Sequence, residues 1–231
     1  MVTVFEPVAT ATVPVLGQTA VFPVHRIYCV GRNYAAHAKE MGGTGREAPF
    51  FFMNPGDAAL VSPPGTTTAL PYPTLTHDLH HEIELVVAIG VGGRDIAVAD
   101  AHKHIFGYAV GLDMTRRDLQ ADLKKQGRPW CIAKGFDHSA PIGAITPASQ
   151  VPGIGKAAIC LQVNGTARQS GCIDQMICNI AETIAQLSAA WALQPGDLIY
   201  TGTPEGVSAV VRGDVLHGSI EGLQDITLRV A

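Results

Sequence analysis

Proline and glycine punctuate this chain so densely that long elements have little room: 15 prolines and 25 glycines fall among 231 residues. Proline fixes φ and removes an N–H, and glycine favours turns, so helices of several turns are confined to a few segments. The pieces between are short, and several are rich in Val, Ile and Tyr, which suit a pleated surface. Strands and turns should dominate, with a few short helices among them, and this mixed order points to an α+β fold.

Composition narrows the class further. With 47% hydrophobic and 16% charged residues, residues 1–231 can bury one substantial core without disulfides, as a single catalytic domain behind a short strand lead-in over 1–24. The net charge is -4 with no Lys/Arg block, which argues against nucleic acid and anionic membrane surfaces as partners. Cys29, Cys131, Cys160, Cys172 and Cys178 form no C-x-x-C pair and no zinc spacing, so they read as buried thiols of a reducing cytosol. The start lacks signal-peptide character and no apolar run reaches membrane-spanning length, so a cytoplasmic protein is expected.

Along the chain, Gly31-Arg32-Asn33 can cap a helix starting at Tyr34. A loop rich in glycine and charge, 42–49, is placed to act as a lid and leads into the aromatic strand Phe50-Phe51-Phe52-Met53. Strands are expected at 82–90, 107–113, 157–163 and 197–201, and helices at 95–105, 115–125 and 180–193. Thr115 and Asp118 have the spacing of a capping box.

Chemistry first shows in the strand that begins Glu82-Ile83-Glu84. Alternation puts Glu82, Glu84, Val86 and Ala88 on one face and Ile83, Leu85, Val87 and Ile89 on the other. Two carboxylates two residues apart lie roughly 7 Å apart in rise, near enough to share an ion. If buried, each charge costs several kcal/mol, as an order of magnitude, so the pair must be exposed, protonated or bound to a cation. A solvated strand edge is the plain alternative. Asp113, ending an apolar run before a helix, is either a third ligand or a simple N-cap. Three oxygen ligands without thiolate suit Mg²⁺ or Mn²⁺.

His37 and Glu40 stand three apart on the first helix, a general base with its orienting carboxylate or an ordinary surface pair. Arg117 and Gln120 share the same spacing on a later helix, offering a cation and an amide donor, or merely a solvated face. Lys134 sits in an apolar setting, as a buried electrophilic lysine or a surface one would. His80 and His81, just before Glu82, read as outer neighbours of the metal site or as solvent-facing groups. In the turn Thr201-Gly202-Thr203-Pro204-Glu205-Gly206, small residues expose N–H groups able to hold a carboxylate.

Taken together, GRNYAAHAKEM, HHEIELVVAIG, GYAVGLDMTRRDLQ, GRPWCIAKGFD and GDLIYTGTPEGV, in this order, resemble the fumarylacetoacetate hydrolase family. The likeness runs from Val24 to the C-terminus and is nearest to the acylpyruvate-hydrolase branch, the fumarylpyruvate hydrolases in particular. It implies a mixed β-sandwich roll like that family's C-terminal domain, and a homodimer. It also implies Glu82, Glu84 and Asp113 as ligands of Mg²⁺ or Mn²⁺, His37 with Glu40 as a water-activating dyad, and Lys134, Arg117 and Gln120 as electrostatic and oxyanion-stabilising groups. Thr203 matches a substrate-contacting position, and Arg32, by charge and by nearness to His37, is a candidate clamp for a remote substrate carboxylate. The implied reaction is hydrolysis of a C–C bond in a 2,4-diketo acid, fumarylpyruvate to fumarate and pyruvate, in gentisate-type aromatic breakdown. The alternative is decarboxylation or tautomerisation of oxaloacetate, or isomerisation of an unsaturated 2-oxo diacid. The chain departs from the family pattern at Asn54, where lysine is expected, and at Cys178, where an aromatic is usual.

Overall fold

The computed structural model describes residues 3–40, 42 and 50–231. The loop 42–49, read as a lid, lies outside them except for Gly42. Twelve strands carry the architecture: β1 (Ile27–Gly31), β2 (Phe50–Asn54), β3 (Ala59–Val61), β4 (Thr68–Leu70), β5 (Ile83–Ile89), β6 (Ile105–Leu112), β7 (Ala140–Ile142), β8 (Ala158–Val163), β9 (Thr166–Cys172), β10 (Leu198–Tyr200), β11 (Val215–Ile220) and β12 (Ile226–Val230). Four α-helices join them: α1 (Ala35–Glu40), α2 (Arg117–Lys125), α3 (Cys131–Lys134) and α4 (Ile180–Ala190).

One sheet runs β2-β1-β10-β5-β6-β7-β3, the other β9-β8-β11-β12-β4. Both are mixed, since β10 pairs with β1, β7 with β3 and β12 with β4 in parallel, and the remaining neighbours are antiparallel. The pattern of β5 follows directly from its period of two. Ile83, Leu85, Val87 and Ile89 pack with Ile159, Leu161, Leu216 and Leu228 of the second sheet. Val86 and Ala88 face the opposite way, into a second cluster with Ile27, Cys29, Tyr200 and with Val13 and Phe22 of the antiparallel pair Thr12–Pro14 and Val21–Pro23. Every residue of β5 is buried, as a strand covered on both faces must be.

Local differences from the sequence expectations have physical causes. Thr115 does not cap α2. Thr115–Arg116 is instead drawn into a short ladder with Leu79–His80, and the helix begins at Arg117 with no side-chain cap on residue 116. Asp118 is turned to the preceding loop, where it accepts hydrogen bonds from Thr76 Oγ1 at 2.6 Å and from the His77 N–H at 3.0 Å. The segment expected as a helix at 95–105 winds as a 3₁₀ helix, Val98–His104. Asn33 does not cap α1; its amide nitrogen donates to the Cys178 and Thr201 carbonyls and its oxygen accepts from the Cys178 N–H, tying β1 to two distant loops. Cys178 is thus buried against Asn33, and Cys29 is buried too, but Cys131 is exposed and Cys160 and Cys172 are partly so, because they fall on segments with one side open to solvent.

A candidate active site with three converging carboxylates

Antiparallel register brings the acids together. Ile83 pairs with Leu112, and the Asp113 N–H donates to the Glu82 carbonyl at 2.9 Å, so Glu82 and Asp113 are cross-strand neighbours while Glu84 lies two residues on along the same face. The partner opposite Glu84 is Gly111, where a Cβ would stand 2.5 Å from Val86 Cγ2, so the ladder closes tightly only with glycine there. Glu82, Glu84 and Asp113 each offer an oxygen within 4.8 Å of the others. All three are buried.

Positive charge reaches them from two helices. Lys134, at the end of α3 and itself buried, donates to Glu82 Oε2 and to Asp113 Oδ2, both at 2.7 Å. Arg117, opening α2, donates to Glu82 Oε1 at 2.5 Å and to Gln120 Oε1 at 2.5 Å. Glu84 accepts from the Gly202 N–H at 2.7 Å, so the turn after β10 does hold a carboxylate, the protein's own.

The charges divide unevenly. Burial pushes Glu82 upward, but the Lys134 ammonium and the Arg117 guanidinium overcome it and hold this carboxyl well below the ordinary range. Glu84 has burial against it and then the neighbouring Asp113 and Glu82 charges, so its carboxyl is pushed far up. Asp113 is pushed up to about 6, chiefly by burial. Asp113 Oδ1 is buried with no hydrogen-bond partner among the described residues. Three oxygen donors, one of them orphaned and two of them short of compensating charge, fit a hard divalent cation.

His37 and Glu40 meet on α1, with Nδ1 and Oε2 3.1 Å apart. The Gly206 N–H lies 3.3 Å from both Glu40 oxygens, so the turn after β10 pins the dyad as well as Glu84. Arg32, His37, Glu82, Glu84, Asp113, Arg117, Gln120, Lys134 and Thr203 all line one cleft, and Glu40 joins it through His37. His80 and His81 stand outside the acidic cluster. His80 pairs with Asp78 at 2.9 Å, and His81 lies buried between Gln169 and Ser208.

Several lining groups escaped the sequence reading. Trp130 meets Phe50 edge-on with centroids 5.2 Å apart and Phe52 at 6.2 Å, forming an aromatic wall on which Arg32 rests, 5.9 Å above Phe50. The alternation of Phe50 and Phe52 announced one inward face of β2, but nothing local announced Trp130. Asn54, on the same strand, is buried outside the cleft lining with neither amide atom paired among the described residues.

Fold and site together define an enzyme class that handles small oxygen-rich substrates beside a divalent cation. The chain belongs to the fumarylacetoacetate hydrolase family: the model of the fumarylacetoacetate (FAA) hydrolase C-terminal domain matches residues 26–231. The crystal structure of fumarylpyruvate hydrolase from Pseudomonas aeruginosa in complex with Mn²⁺ and pyruvate superposes with a TM-score of 0.97 at 54% identity, covering 99% of each chain. A fumarylpyruvate hydrolase of a Ralstonia species is 46% identical over 80% of this chain and 93% of its own. The mitochondrial oxaloacetate tautomerase of Arabidopsis thaliana is 42% identical over 89% of this chain and 90% of its own.

Proposed function

We propose that this chain hydrolyses the C–C bond of a 2,4-diketo acid, with fumarylpyruvate as the substrate and fumarate and pyruvate as products. The observation that carries the reading is the meeting of Glu82, Glu84 and Asp113 in the same cleft as the His37–Glu40 pair. The kinship with fumarylpyruvate hydrolases, one of them holding Mn²⁺ and pyruvate, supports it.

Glu82, Glu84 and Asp113 would hold a Mg²⁺ or Mn²⁺, which would supply Lewis acidity to the pyruvyl half of the diketo acid. His37, oriented by Glu40, takes a proton from water, whose oxygen adds to the distal carbonyl. Arg117 commits its Nη1 and Nη2 to Gln120 and Glu82, and Lys134 commits two of its three N–H bonds to Glu82 and Asp113. Each Arg117 Nη keeps a second hydrogen, so the donors left for the new oxyanion are those two N–H groups, the Gln120 amide nitrogen and the third N–H of Lys134, and one such donor is worth about 3 kcal/mol. Collapse breaks the bond to the methylene carbon. Its electron pair passes into the pyruvyl half, which takes up a proton there and leaves as pyruvate, while the acyl half leaves as its acid. Arg32, 5.9 Å above the Phe50 ring in the cleft wall, is the cation proposed to pair with the far carboxylate of a fumaryl arm. The proposal extends to Mg²⁺ as the working ion, a homodimer, a cytoplasmic setting and the breakdown of aromatic acids.

Loss of the enol absorbance of fumarylpyruvate, acetylpyruvate and oxaloacetate, each with and without chelator, tests this. Fumarylpyruvate is expected to turn over fastest, to stop in chelator and to resume with Mg²⁺ or Mn²⁺. Equal rates in chelator defeat the cation, and a preference for oxaloacetate promotes the second reading, tautomerisation, which the likeness to the Arabidopsis tautomerase favours. His37→Ala separates the two, since hydrolysis needs the water-activating base and enol–keto exchange at a bound 2-oxo acid is expected to survive in part.

A further inference from the structure

Gln169 lies on β9, in the sheet that gives no carboxylate to the cleft, yet it is 1% exposed and makes four hydrogen bonds at the edge of the site. Its orientation is fixed by two backbone groups that have no choice of role. The Ile83 N–H can only donate, and does so to Oε1 at 3.0 Å; the Pro204 carbonyl can only accept, and takes the Nε2 hydrogen at 2.8 Å. Oε1 also faces His81 Nδ1 at 2.8 Å, so that nitrogen carries the hydrogen. The remaining Nε2 hydrogen goes to Thr203 Oγ1 at 2.8 Å, and the Thr203 hydroxyl in turn donates to the Ile83 carbonyl at 2.7 Å.

The consequence falls on Thr203, which lines the cleft. A hydroxyl has one hydrogen and two lone pairs. The hydrogen is committed to Ile83 and one lone pair to Gln169, so only an acceptor lone pair is left for a ligand. We infer that Gln169 is a positioning residue that holds the Thr203 hydroxyl as an acceptor toward the cleft, so that Thr203 receives an O–H, from water or from the enol form of the substrate, and does not donate to a substrate carboxylate. This deepens the reading of the cleft as the site of diketo acid hydrolysis and rests on it.

The test uses the Mn²⁺-loaded enzyme, fumarylpyruvate, and oxalate as a competitor that carries acceptors only. Gln169→Met removes both halves of the amide. Gln169→Glu keeps the acceptor for Ile83 and His81 and removes the donor to Thr203 together with the one to the Pro204 carbonyl. Both are expected to lower kcat/KM about tenfold, the scale of one lost hydrogen bond, while the inhibition constant of oxalate stays within about threefold or tightens, because the freed hydroxyl can now donate. In a Thr203→Val background the same changes at Gln169 should cost little more, and in Thr203→Ser the full loss should return. Mn²⁺ affinity by electron paramagnetic resonance and the thermal midpoint, measured alongside, report on metal and fold without reference to turnover. The inference is overturned by wild-type activity in Gln169→Glu, by oxalate weakening in step with turnover, or by equal losses in the Thr203 and Thr203→Val backgrounds. Failure of the unsubstituted enzyme to cleave any diketo acid overturns the reading of the cleft instead.

Discussion

Glu84 is a side chain held in place against its own electrostatic preference. Its carboxyl is pushed far up by burial and by Asp113 and Glu82. A carboxyl raised in this way contributes its full stability below its unfolded value of 4.5 and loses it as pH rises, so near neutrality it weakens the metal-free fold. Glu84→Gln keeps an acceptor for the Gly202 N–H and is neutral in the folded and the unfolded chain alike, so the cost of protonating Glu84 on folding disappears. Metal-free protein carrying it is expected to gain about 1–2 kcal/mol in urea unfolding at pH 7 and to lose its response to Mn²⁺. The same balance sets the pH dependence of cation binding. With Asp113 pushed up to about 6, binding below that pH must displace a proton, and Mn²⁺ affinity should fall about tenfold per pH unit for each proton displaced. Calorimetry in buffers of different ionisation enthalpy reads that proton directly, and an affinity flat between pH 5 and 7 would falsify the assignment.

At the scale of elements, the turn after β10 is the hinge of the arrangement. It follows β10, an inner strand of the first sheet, and serves two carboxylates, Glu84 through Gly202 and Glu40 through Gly206. Gly206 has φ of +93°, and a Cβ there would lie 2.1 Å from the Arg168 carbonyl oxygen, so the backbone could not stay where it is. Gly206→Ala is expected to cost about 2 kcal/mol or more of stability. Because the turn also anchors Glu40, kcat should fall while Mn²⁺ affinity is largely kept; an unchanged rate would detach the dyad from the turn. The elements themselves were largely legible. The period of two in β5 and the three-residue spacing of His37 with Glu40 and of Arg117 with Gln120 are consequences of local backbone geometry, and they appear where expected. The capping role read for Thr115 was not, because the ladder with Leu79–His80 outweighs one side-chain cap and holds that residue extended.

At the scale of the whole molecule, the two sheets are locked together beside the site by buried polar groups as well as by the apolar core. His81, with no exposed surface, bridges Gln169 of the second sheet and Ser208. Burial drives its pKa down from 6.5 to about 4. The stability it contributes is complete above 6.5 and is lost as pH falls toward 4, because only the unfolded chain gains the proton in that window. The loss amounts to as much as about 3 kcal/mol, and the urea midpoint should drop across this range in the unsubstituted protein but less steeply in His81→Gln. Equal slopes in the two would place the acid sensitivity elsewhere.

By itself the sequence determined the short-strand α+β character, the face of β5 on which Glu82 and Glu84 stand, the pairing of His37 with Glu40, and through its motifs the family. These follow from proline and glycine geometry, from the repeat of strand and helix, and from residues close enough in the chain to be related by it. Only the tertiary structure decided which groups meet across long separations: Lys134 with Glu82 across 52 residues, Glu84 with Gly202 across 118, Glu40 with Gly206 across 166 and Gln169 with Ile83 across 86. Local periodicity carries no register between distant strands. That register is chosen by burying both faces of the first sheet at once, and the charge of Glu84, the orphaned oxygen of Asp113 and the polarity of Thr203 are settled along with it.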